Sequence, residues 1–165
     1  MALFKRTRLD DPELARIVGR GRVLAAGRTA DAQVVGLVDR LVFRAEDGWR
    51  ELAWHDIERG SWDKDDGSLR WTEASGAAGR LVLTETGRLP ELFNERVTTS
   101  VACLRVVELG GRRSAVISAR RDLGRPGAPL IWRVAPGKGV RMEEVDGDPV
   151  VAGELQRLRS EYDLG

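Results

Sequence analysis

His55 and Cys103 are the only histidine and the only cysteine in the chain, and each could in principle serve catalysis. His55 stands beside Asp56 and Glu58, so an imidazole and two carboxylates could form an acid–base cluster. Cys103 lies in the apolar run Val101 to Val107, where a thiol behaves as a small hydrophobe, and His55 is the one imidazole that could activate it. No serine or cysteine carries a recognisable nucleophile motif. His55 is therefore expected to be a polar corner residue and Cys103 a core residue. A single cysteine also excludes an internal disulfide and a cysteine-based metal site.

Two further groupings bear on binding. Asp63, Asp65, Asp66 and Gly67 offer oxygen ligands, but the spacing D-K-D-D-G is not that of an EF-hand loop and the flanks read as strands rather than helices, so a solvated hairpin tip is expected rather than a calcium loop. Arg112, Arg113, Arg120, Arg121, Arg125 and Arg133 form the densest basic region. Arg113 and Arg121 share strand parity while Arg112 and Arg120 take the other face, so one patch cannot hold them all. Arg112, Arg113, Arg120, Arg121 and Arg133 are the candidate contacts to an anion or partner. The chain as a whole gives no electrostatic pull on nucleic acid, since 27 basic and 26 acidic residues leave a net charge of +1.

The elements that must position these residues follow from periodicity. Residues 1 to 9 are a basic lead-in carrying Lys5, Arg6 and Arg8. Asp11-Pro12 starts a short helix, with Leu14, Ile17 and Val18 at helical spacing before Gly19 and Gly21. Strands are expected at Arg22 to Arg28, Gln33 to Val38, Leu41 to Glu46, Trp49 to Trp54, Ile57 to Trp62, Leu69 to Ala74 and Arg80 to Glu85. His55 and Asp56 form a corner, and Lys64-Asp65-Asp66-Gly67 is the clearest hairpin turn. Four of the five tryptophans (49, 54, 62 and 71, with 132 apart) fall in this meander. Most are expected to face the interior, with Trp49 and Trp71 the more exposed pair.

From Pro90 the period changes: Leu89, Leu92, Phe93 and Val97 line one face of a helix, expected to fray at Thr98-Thr99-Ser100. A hairpin follows (Ala102 to Leu109, Arg112 to Arg120), then a third strand, Leu130 to Val134, and a loop to Gly147. Asp148-Pro149 starts a terminal helix whose apolar stripe is Val150, Val151, Leu155, Leu158 and Tyr162.

Residues 22 to about 99 resemble bacterial pleckstrin-homology-like and GRAM-like domains. The resemblance rests on the seven strand runs, the corner Trp54-His55-Asp56-Ile57 and the helix LPELFNERV. It implies an α+β, mainly β fold: a seven-stranded split barrel of two antiparallel sheets capped by a helix. A three-stranded antiparallel extension and a C-terminal helix would follow. The whole chain also looks like a group of actinobacterial proteins whose function is unassigned. The implied organisation is a lead-in and short helix (1–21), a barrel with capping helix (22–99), and a β-β-β-α extension packed on it (100–165). The first connector, Thr29-Ala30-Asp31, has an acid at its tip where phosphoinositide-binding members carry basic residues. Residues 89 to 162 also read α-β-β-β-α, the element order of a double-stranded-RNA-binding domain, but the last helix starts with Asp148 and carries Glu154, which repel phosphate.

The expected protein is a non-enzymatic, cytoplasmic binding or scaffold protein that needs no cofactor or metal and recognises a protein or peptide. Self-association through open strand edges is a further expectation. The alternative is an RNA- or anion-binding module using the arginine-rich region 112–133. No apolar run reaches the roughly 18 residues of a membrane span.

Overall fold

In a computed structural model of the chain, residues 7–163 are described; Lys5 and Arg6 of the basic lead-in lie outside them. Three antiparallel sheets and four α-helices make the fold mainly β, and the sheets do not close into a barrel. The chain divides into two compact units, one running to Thr98 and the other from Thr99 onward.

The first unit opens on α1 (Pro12–Val18), started as the sequence implies: the Asp11 carboxylate accepts the Glu13 and Leu14 amides, and proline fills the first turn. Four strands follow in sequential antiparallel order, β1 (Ala25–Arg28), β2 (Gln33–Gly36), β3 (Arg40–Ala45) and β4 (Gly48–Ala53). Alternation divides their side chains. Val35 and Val42, paired in register, pack with Leu14 and Val18 of α1, while Phe43 and Leu52 turn to the other face. A single 3-10 turn, Trp54–Asp56, then leads to the second sheet, β5 (Ile57–Asp63), β6 (Ser68–Glu73) and β7 (Ala78–Val82). Beyond β7 the chain comes back beside β1, where the Arg28 amide donates to the Glu85 carbonyl at 2.8 Å and the Thr84 amide donates to the Arg28 carbonyl at 2.8 Å.

Aromatic side chains from both sheets and from α2 (Leu89–Ser100) meet between them. Phe43 and Trp71 are edge-on at 5.3 Å, Trp54 and Phe93 at 6.0 Å, and Trp71 lies 6.4 Å from Phe93. Gly60 and Gly36 leave the space that Phe93 and Leu92 occupy, since an added Cβ would lie 2.3 Å and 2.4 Å from them. Trp71 is therefore buried, at 4% exposure, and not exposed as its position beside a turn suggested. Its burial depends on residues from three other elements, which local pattern does not reveal. Trp54 is fully buried, and Trp49 and Trp62 are half-buried.

The second unit has one sheet of order β10-β9-β8, built from β8 (Val101–Gly110), β9 (Arg113–Arg120) and β10 (Ile131–Pro136). Ala115, Ile117 and Ala119 alternate on β9 and pack with Cys103 and Val107 of β8. Val145 of α3 (Met142–Val145) and Val151 and Leu158 of α4 (Pro149–Tyr162) cover them. Asp148 caps α4 through the Val150 and Val151 amides, as Asp11 caps α1.

Five further expectations need correction here, the first being β7, which spans Ala78–Val82 and not Arg80 to Glu85. Thr98-Thr99-Ser100 stays helical to the start of β8 because its end is held: the Ser100 carbonyl accepts the Arg121 amide at 2.7 Å and the Ser100 hydroxyl accepts from Arg120 at 3.1 Å. The loop after β10 contains the short α3, whose start is braced by the Glu144 carboxylate accepting the Arg141 amide at 2.7 Å. β10 runs on through Ala135 and Pro136, opposite Val116 and Ala115. Val150 and Tyr162 stand 58% and 39% exposed, so the buried stripe of α4 is narrower than its apolar sequence.

Candidate functional site

His55 sits on the 3-10 turn that links the two sheets of the first unit, its side chain mostly buried. Its Nε2 lies 3.7 Å from the Asp56 carboxylate, beyond hydrogen-bond length. Cys103 is buried in the core of the second unit at 7% exposure, where a thiol has no access to a solvent-borne substrate. It holds the phenol of Tyr162 above its usual pKa through their hydrogen bond.

Asp66 is the hydrogen-bonding centre of the acidic hairpin. Its carboxylate accepts the Ser68 amide at 3.0 Å, the Ser68 hydroxyl, the Arg70 guanidinium and, at 3.1 Å, the Arg80 guanidinium. Asp63 accepts the Asp65 amide at 2.9 Å, and Gly67 takes the positive φ of 68° that the turn requires. Among the described residues no group of histidine, cysteine and carboxylate side chains is placed to hold a metal. The Ser68 hydrogen bond first, then Arg80 and Arg70, hold the Asp66 carboxyl well below its ordinary pKa of 3.8. A depressed carboxylate contributes stability that is fully present above its unfolded pKa and lost as pH falls through the folded value. Asp66→Asn is therefore expected to lower the urea midpoint at pH 7, with the gap from the parent narrowing at pH 3. A gap independent of pH would show that Asp66 acts only through its shape.

The arginines of the second unit have separate tasks. Arg112 is exposed in the β8–β9 turn, and Arg113 pairs with Glu144 at 3.1 Å. Arg120 is turned inward, at 2% exposure, against the Ser100 hydroxyl. Arg121 donates to the Val101 carbonyl at 2.8 Å and the Thr99 carbonyl at 3.3 Å, closing the C-terminal end of α2. Arg125 is exposed on the β9–β10 loop, and Arg133 is half-buried on β10. Of these six, only Arg112 and Arg125 are exposed without an ion pair or hydrogen bond of their side chains among the described residues, and they stand beyond opposite ends of β9. The five candidate contacts are not gathered into one surface.

Sequence reasoning missed a cleft of about 620 Å³ in the first unit, where the β1–β2 turn, the end of β3 and the start of β7 meet. Phe43 and Trp71 form its floor. Trp71 lies over Gly79, its partner in register, where a Cβ would come within 2.1 Å of the indole. Arg50, opposite Phe43 in register, places its guanidinium 5.5 Å over that ring and pairs with Glu73 at 3.1 Å. Glu73 also accepts from the Trp71 indole at 3.4 Å, so one carboxylate ties the two sheets together at the mouth. Arg44 and Arg80 border the cleft but belong to the opposite faces of their strands, and Asp31 and Glu46 stand on the turns. Three arginines and two acids line the cleft, with Arg50 answered by Glu73 and Arg80 by Asp66, so its charges are largely paired. The Phe43–Arg50 pairing was readable from strand parity across Glu46-Asp47-Gly48; the approach of Trp71 from another sheet was not. Compared with known proteins, the chain matches no family model, no curated protein and no solved structure.

Proposed function

We propose that the chain is a non-enzymatic binding or scaffold protein whose first unit is a pleckstrin-homology-like domain that recognises a protein or peptide partner. Seven strands in a four-plus-three arrangement, followed by a helix that packs Leu92 and Phe93 against both sheets, support the domain reading. The observation that carries the functional reading is the cleft floored by Phe43 and Trp71 and braced by Arg50 and Glu73. Aromatic and arginine side chains at a partly desolvated site are what binding hot spots are made of.

Ala45 lines the mouth with the parity of Phe43, so a large side chain there fills the cleft without disturbing its floor. Ala45→Trp is expected to weaken the partner by at least about tenfold and to leave thermal unfolding unchanged. Affinity capture from the native host with the parent and the variant, followed by mass spectrometry, measures this. A partner held equally by both would remove the cleft from the reading, and no protein enriched by the parent would remove the reading itself.

A further inference from the structure

The second unit has an unpaired strand edge. β8 pairs with β9 along one edge, and no strand pairs with its other edge among the described residues. Register shifts bracket it at Ala102 and Leu109, and between them Cys103 to Glu108 run in unbroken register with β9. That stretch holds no proline or glycine. The other edge strand, β10, ends in Pro136 and has α3 beside it, two of the devices that blunt a free edge. β8 has no proline along these six positions, and the helix packed against it, α4, lies over the face that carries Cys103 and Val107.

Its side chains add apolar contact and an exposed cation whose one acid is shared. Leu104 and Val106 share one face and are 63% and 56% exposed, high values for residues within a regular strand. Arg105 points to the other face, where its cross-strand neighbour is Ile117. Its nearest acid is Glu154 at 3.8 Å. That carboxylate is also held through both oxygens by Arg157, at 2.7 Å and 3.0 Å, so Arg105 shares its acid and makes no hydrogen bond to it. A residue directly opposite Arg105 on an added strand would sit about 5 Å away, within reach of its charge.

We propose that the free edge of β8 takes an extended segment of a partner protein as a fourth strand, with a glutamate or aspartate opposite Arg105 and apolar residues on either side of it. Backbone pairing supplies the affinity, as in other cases of strand addition. The flanking residues cover Leu104 and Val106, and the acid answers Arg105. This surface is independent of the cleft.

The probe is a labelled seven-residue peptide, Thr-Thr-Val-Glu-Val-Thr-Thr, and its counterpart with lysine for glutamate. Binding to the full chain is measured by fluorescence anisotropy, and the site by hydrogen exchange. The glutamate peptide is expected to protect amides of residues 103–108 and to bind about fivefold more tightly than the lysine peptide. Arg105→Glu, an exposed substitution, is expected to invert that preference, and Ala45→Trp to leave it unchanged. Equal affinity for the two peptides, protection confined to other strands, or no binding at millimolar peptide would overturn the proposal. So would protection of 103–108 that grows with protein concentration in the absence of peptide, because a second copy would then occupy the edge.

Discussion

Trp54→Ala is expected to destabilise the protein by about 3–5 kcal/mol, a third or more of what a domain of this size has in reserve. Trp54 is fully buried and meets Phe93 edge-on at 6.0 Å, so truncation leaves a cavity between the sheet crossing and α2. Its indole nitrogen donates to the Leu37 carbonyl at 2.9 Å. The same loop is held at Leu37, whose amide donates to the Arg40 carbonyl at 2.8 Å, and at Asp39, whose carbonyl accepts the Trp54 amide at 3.1 Å. The ring thus fastens the β2–β3 turn to the point where the chain leaves the first sheet for the second. Trp54→Phe separates the two contributions: it keeps most of the packing and leaves the Leu37 carbonyl unpaired, a loss of about 1–3 kcal/mol. Denaturant unfolding followed by circular dichroism would order the three proteins. A Phe variant as unstable as the Ala variant would show that the hydrogen bond, not the ring volume, dominates.

That residue also shows how much of the fold was legible in the sequence. The strand ending near Trp54, the corner at His55 and Asp56, and the strand from Ile57 follow from local alternation, and the structure has them within a residue or so. Both Asp-Pro helix starts were legible for the same reason, since a cap involves only neighbours in sequence. What failed depended on distant partners. Thr98 to Ser100 have poor helix propensity, yet Arg120 and Arg121, some twenty residues later, complete the helix end. Four residues of α3 are too few to show a period. Strand alternation already divided the arginines of the basic region between two faces, whereas the pairs of Arg113 with Glu144 and of Arg120 with Ser100 involve partners distant in sequence. The cleft escaped notice because Phe43 and Trp71 come from different sheets and meet only where Gly79 has no side chain.

The second large effect is expected at Gly27, where backbone meets backbone. A Cβ on Gly27 would lie 2.5 Å from the Glu85 carbonyl oxygen and 2.8 Å from Leu89 Cδ1. A side chain in the way could turn aside; the Glu85 carbonyl cannot, because it accepts the Arg28 amide at 2.8 Å. Gly27→Ala must therefore push the chain after β7 away from β1. It strains or breaks both that bond and the one from the Thr84 amide to the Arg28 carbonyl, also at 2.8 Å. Overpacking costs about 1–3 kcal/mol, and each lost backbone bond adds about 1 kcal/mol, so about 3–5 kcal/mol is expected in all. The loss has a local signature: hydrogen exchange at Arg28 and Glu85 should accelerate more than exchange at Val35 or Val42, which face α1. Gly27→Ala leaves the strand alternation of the sequence untouched, so uniform acceleration, or none, would mean that the contact between β1 and the segment after β7 does not hold the two sheets together.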